Sequence, residues 1–226
     1  MGIQNGRAVG ERGRIGGFSL IEMAVVLVII GVLLGSLLMP LSVQMEARRR
    51  DATTATVKEV GEALLGFAVV HRRLPCPDSD GDGFENGPTC NNVEGTVPWA
   101  TLGVGREDAW GHPLRYRANN GFVTAIPNPP DTTGGLAIVD TDGTALTAAD
   151  PDGPAALVFS CAADGLPNLG NDADGTLNTN LTCVNNGAPD GTYVQGVYLD
   201  GQYDDILLWV SKNSLINRLV SAGKWP

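Results

Sequence analysis

The chain has 226 residues, with 15 Lys+Arg against 25 Asp+Glu, a formal charge of −10. An excess of acid on this scale excludes nucleic acid as the expected partner. Hydrophobic residues at 43% and charged residues at 18% exclude wholesale disorder, while 30 Gly and 14 Pro beside 6% aromatics exclude an all-helical body.

In chain order the first segment is basic. Arg7, Arg12 and Arg14 against Glu11 give residues 1–17 a charge of +2 and leave −12 for the remainder. The run FSLIEMAVVLVIIGVLLGSLLMPL follows, residues 18–41, in which Glu22 is the one ionisable side chain. As a helix it would be about 36 Å long, enough for a hydrocarbon core of about 30 Å. A cleaved secretory signal would end in an A-x-A-type site, which this run lacks. A plain membrane anchor fits the length but gives no reason for Glu22, because a charge at a membrane-helix centre costs on the order of 3 kcal/mol. Pro40 predicts a kink or a locally melted turn.

Two glycines followed by FSLIEMAVVLVIIGVLL resemble the prepilin cleavage and methylation signature of type IV pilins and type II secretion pseudopilins. The resemblance implies a cut after Gly17 by a dedicated prepilin peptidase, methylation of the new amine on Phe18, and retention of the apolar helix. It also implies a role for Glu22: pairing with the N-terminal amine of a neighbouring subunit, so that two costly charges neutralise each other in an apolar bundle.

Beyond Pro40 the helical pattern resumes. Val57, Val60, Leu64, Phe67 and Val70 recur at spacings of three and four, an apolar stripe opposite Lys58, Glu59 and Glu62, and the helix is expected to stop near Arg73, ahead of Leu74-Pro75. The Arg48-Arg49-Arg50 triplet reads as a solvated helix face or one near lipid phosphates. It balances the three N-terminal arginines, so loop charge leaves the orientation tied. Cys76, Cys90, Cys161 and Cys183 break the tie: an even set without metal-ligand spacing, all beyond the apolar run, places the body in an oxidising compartment. Three connectivities are possible, and sequence order favours Cys76 with Cys90 and Cys161 with Cys183.

After Pro75, short apolar runs alternate with Gly, Pro, Asn and Asp clusters. Residues 114–118 and 122–126 flank Asn119-Asn120-Gly121, predicting a hairpin. Further strands are expected at 136–140, 156–161, 193–199 and 205–211, and a last helix at 213–222 with Leu215, Ile216, Leu219 and Val220 on one side, ending at Gly223. DAWGHPLRYR at 108–117 resembles the Asp-x-Trp-Gly-x-Pro stretch that leads into a strand in secretion pseudopilins, with Trp110 expected to anchor it.

One metal pattern stands out. Asp78, Asp80 and Asp82 alternate ahead of Gly83 as in the first half of an EF-hand-type calcium loop, but its twelfth position is Thr89, so Glu85 or main-chain carbonyls would have to complete the shell. The competing reading is an acidic solvated turn. Asp172 and Asp174, or Asp200, Asp204 and Asp205, form other carboxylate clusters. Enzyme chemistry is not expected: His71 and His112 lack an evident nucleophile or metal partner, and Ser160 lacks a G-x-S-x-G elbow.

The expected fold is therefore α+β, a long N-terminal transmembrane and amphipathic helix on a small antiparallel sheet with a short C-terminal helix. The expected segments are a leader at 1–17, a membrane or filament-core helix at 18–41, its amphipathic continuation at 42–74 and a β-rich periplasmic body at 75–226. The expected function is a structural subunit, a pseudopilin or minor pilin, in the bacterial inner membrane. Its partners would be prepilin peptidase, other pilin or pseudopilin subunits and the secretion or pilus assembly machinery. The alternative is an inner-membrane-anchored periplasmic binding domain, calcium-binding or not, that does not polymerise.

Overall fold

The computed structural model describes residues 17–87, 89–90, 93–131, 134–169, 171 and 191–225, without the side chains of 36–41. Two compact units divide the chain, Met1–Glu46 and Ala47–Pro226.

Within the first unit the described backbone is the opening of helix α1 (Leu20–His71). The helix starts with a capping box. Ser19 N–H donates to Glu22 Oε2 at 2.8 Å and Glu22 N–H donates to Ser19 Oγ at 3.3 Å, satisfying two of the donors that a helix start leaves open. The backbone is helical through position 40, so the expected melted turn at Pro40 is absent. A proline removes one ladder bond, and good helix formers on both sides sustain the rest. Among the described residues no helix is long and apolar enough to cross a membrane.

The second unit is layered around a four-stranded antiparallel sheet in the order β1 (Glu94–Thr96), β2 (Arg115–Ala118), β4 (Pro154–Ser160), β6 (Ile206–Ser211). A short helix α2 (Trp99–Leu102) follows β1. On one face lie Val57, Val60, Leu64 and Ala68 of α1 with Leu215 and Leu219 of α3 (Lys212–Ser221), against Tyr116, Ala118, Ala156, Val158 and Val210. On the other, Leu157 and Phe159 meet Leu136, Ile138 and Tyr193, carried largely by a two-stranded parallel ribbon of β3 (Ala137–Asp140) and β5 (Thr192–Gln195). Strand β4 is buried on both faces, which is why it reads as an unbroken apolar run rather than an alternating one.

Four expectations change. The helical stripe runs through Ala68 and leaves Val70 exposed, while Phe67 stacks on His71; on α3, Val220 is likewise exposed. Helix α1 ends at His71, where Arg72 takes a left-handed φ of 55°. The 114–126 hairpin does not form. Asn119 accepts from Gly121 N–H and donates to the Pro154 carbonyl, closing a 3-10 turn that sends Phe122 into the core, so β2 pairs with β1 and β4 instead. At the expected 136–140 and 193–199 runs, β3 and β5 pair with each other in parallel, outside the antiparallel sheet, and residues 196–199 leave the strand.

Candidate functional site

At the head of α1, Phe18 and Leu20 are 84% and 93% exposed, and the apolar side chains through Leu34 are exposed too. This surface begins at the residue after Gly17. The carboxylate of Glu22 has two oxygens, and the helix cap uses Oε2. The Ser-x-x-Glu spacing was legible in the sequence as a helix start, and it gives Glu22 a local duty that the charge argument alone missed.

In the 108–117 stretch Trp110 is half-buried, and the aspartate gathers the bonds. Asp108 is buried. Its Oδ1 accepts from Trp110 and His112 N–H at 2.9 Å each, and its Oδ2 accepts from Ser160 Oγ at 2.5 Å. Ala109 N–H donates to Thr53 of α1 at 3.1 Å, so the turn joins helix to sheet. Ser160, Asp108 and His112 thus lie together, but Ser160 is buried and donates to the carboxylate, while His112 Nδ1 sits 2.7 Å from the Ala162 carbonyl. That arrangement binds a turn to a strand and activates no nucleophile.

Cys76 and Cys90 form a disulfide with sulfurs 1.99 Å apart. Cys161 is also disulfide-bonded, and Cys183 lies outside the described residues, as do Asp172 and Asp174. Inside the first disulfide loop, one carboxylate oxygen from each of Asp78, Asp80 and Asp82 lies within 4.8 Å of the others, a separation that a cation with ligand distances near 2.4 Å can bridge. Those carboxylates also cap their own loop. Asp78 accepts from Asp80, Gly81 and Gly83 N–H, and Asp82 from Phe84 N–H. The Asp82 N–H and the Asn86 amide hold Asp80 below the usual carboxylate range. Glu85 does not join them. It takes a two-pronged ion pair from Arg73, at 2.6 and 2.7 Å, and the Cys76 N–H at 3.1 Å. Burial pushes its pKa up, but Arg73 and Cys76 outweigh burial and hold it below its ordinary value.

A second acidic site is sharper than the sequence suggested. Asp204 Oδ2 accepts from Ala163 and Asp164 N–H, and Asp205 Oδ2 from Asn168 N–H and Asn171 Nδ2. The other oxygen of each, Oδ1, is buried without a hydrogen-bond partner among the described residues. Desolvation raises both acids, Asp205 well above the usual range. Asp200 stands apart, exposed and accepting from the Tyr198 hydroxyl.

Residues 12–38 match the family model described as the prokaryotic N-terminal methylation motif. The chain carries the type IV pilin and pseudopilin signature. This prepilin-type motif takes in Gly17, Phe18 and Glu22 and ends inside the apolar helix. It supports a pilin-like or pseudopilin precursor, a structural subunit rather than an enzyme, and implies processing by prepilin peptidase, membrane-anchored assembly and contact with other pilin subunits. No curated protein and no solved structure matches the chain.

Proposed function

We propose that the chain is a filament subunit, a pseudopilin of a type II secretion pseudopilus or a minor subunit of a type IV pilus. Cleavage after Gly17 frees Phe18 for N-methylation, and the apolar helix over 18–41 holds the protein in the bacterial inner membrane until it packs into the filament. The carrying observation is the methylation motif running directly into a helix whose apolar side chains are exposed. Such a surface is stable only against lipid or other helices. Disulfides at Cys76 and Cys161 support a body on the periplasmic side, since such bonds persist in oxidising compartments. Mass spectrometry of the native protein tests the reading: the first residue should be N-methylated Phe18, and an intact leader in working assemblies refutes it. Loss of cargo secretion on deletion selects the pseudopilus, and loss of surface fibres selects the pilus. An anchored domain that stays monomeric is the competing function, and it predicts no ordered multimers on crosslinking near Glu22.

A second reading concerns calcium. The two orphaned oxygens of Asp204 and Asp205 fit a hard cation, which takes carboxylate and carbonyl oxygen. Bound there, calcium would neutralise two adjacent acids and fasten the 163–171 loop to the start of β6. The Asp78, Asp80 and Asp82 loop fits by spacing, but each of its carboxylates already serves the loop backbone. EDTA should lower the thermal midpoint of the full chain, and Asp205→Asn should abolish that sensitivity while Asp80→Asn keeps it. An EDTA-insensitive midpoint removes calcium from both loops.

A further inference from the structure

The loop joining β5 to β6 carries an apolar tip that nothing described covers. Val197 is 87% exposed and Leu199 53%, and with Leu169 and Tyr203 they line an open groove of about 560 Å³ rimmed by Asp140. Exposed Asp200 extends the acidic rim. The tip is held in shape. Leu199 and Tyr203 exchange backbone hydrogen bonds, the Tyr203 hydroxyl donates to the Val194 carbonyl, and the Arg50 guanidinium sits 3.9 Å above the Tyr198 ring. Arg50 therefore leaves the expected solvated triplet and pins the tip to α1. One residue away the helix turns outward: Arg48, Arg49 and Ala52 share an exposed face at spacings of three and four, and neither arginine forms an ion pair among the described residues.

An apolar tip with an acidic rim and an unpaired basic helix face thus occur on one chain, at the same end of one compact unit. We propose that the Val197–Leu199 tip docks against the Arg48–Arg49 face of a second copy of this chain, resting on the filament reading above. The apolar residues supply contact area, and Asp140 and Asp200 set register against the two arginines. Because both surfaces flank the Arg50–Tyr198 contact, neighbouring copies meet side by side, and each copy has one surface left for the next.

The test mixes two full-length chains in membranes, one bearing Arg49→Cys and the other Leu199→Cys, with a short bis-maleimide. No described native cysteine is free to react. A homodimer is expected from the mixture and not from either chain alone. Arg48→Asp with Arg49→Asp, in a 52→Cys background (Ala52→Cys), should cut the yield at least about tenfold, and Asp140→Lys with Asp200→Lys on the partner should restore it. A parallel crosslink placed near Glu22 separates the outcomes. Glu22 multimers without the 49–199 product overturn this docking and keep the filament. Loss of both products overturns both, and a 199 adduct to a protein of different mass overturns the second-copy assignment.

Discussion

Asp108 illustrates how much one side chain can hold. It serves two backbone donors and the Ser160 hydroxyl from a buried position, so Asp108→Ala strands three polar groups at once. Each buried unsatisfied group costs about 1–3 kcal/mol, and partial relaxation brings the expected loss to about 2–4 kcal/mol of stability, read by thermal or denaturant unfolding. Ser160→Ala strands the Asp108 Oδ2 and the Ala162 N–H, two buried groups rather than three, and should cost somewhat less, about 1–3 kcal/mol. Glu22 works differently. Glu22→Gln retains a capping-box acceptor for Ser19 N–H but removes the charge, so on the proposed role processing to Phe18 should survive while crosslinked multimers disappear. Equal loss of processing and multimers would instead place Glu22 in peptidase recognition. The sequence marked both residues, one by the Asp-x-Trp-Gly-x-Pro stretch and one by its isolation in an apolar run. It did not show how much Asp108 holds, because aromatic size is visible in a sequence and a convergence of three donors is not.

Among elements, the described residues from Arg73 to Cys90 form no helix and no strand of their own, so other links fix the segment. The disulfide closes a loop with a sequence separation of 14, worth about 3 kcal/mol in the chain-entropy model. Cys76→Ser with Cys90→Ser should lose about that much stability and expose the segment to protease first; cleavage elsewhere in the body would show that the loop is not the weak point. The second link is the Arg73–Glu85 pair. The Glu85 pKa is depressed on folding, so its contribution is fully present above the unfolded value of about 4.3 and disappears as pH falls through the lower folded value. Stability of Glu85→Gln should therefore vary less with pH than that of the parent below about pH 5, in paired acid titrations followed by circular dichroism. Strand β1 depends on the same segment. Asp78 and Thr96 exchange backbone hydrogen bonds, and a Cβ at Gly95 would fall 2.4 Å from the Asp78 carbonyl oxygen, so only glycine lets the two backbones meet. No periodicity announced β1 or α2, since elements of three and four residues are too short to show one.

Across the whole molecule, the division of labour between sequence and structure follows from the range of the forces involved. Local patterns settled the processing motif, the long N-terminal helix, the C-terminal helix and the positions of β3, β4 and β6, because charge, apolar run length, spacing and turn residues act over a few positions. They also favoured the Cys76–Cys90 pairing, since the nearest cysteines close the shortest loops. Pairing partners were decided elsewhere. Asn119 bonds to Pro154 across the sheet and Phe122 finds space in the core, and those two contacts defeat a hairpin that Asn-Asn-Gly favours locally. The bonds that Asp204 and Asp205 accept from Ala163, Asn168 and Asn171, and the pinning of Tyr198 by Arg50, likewise join residues far apart in the chain. Sequence by itself determined that the chain carries the methylation motif and which of its stretches are greasy or charged. Only the tertiary structure decided which of those stretches are buried and which stay available to a neighbour, because burial depends on contacts between distant segments that no local pattern encodes.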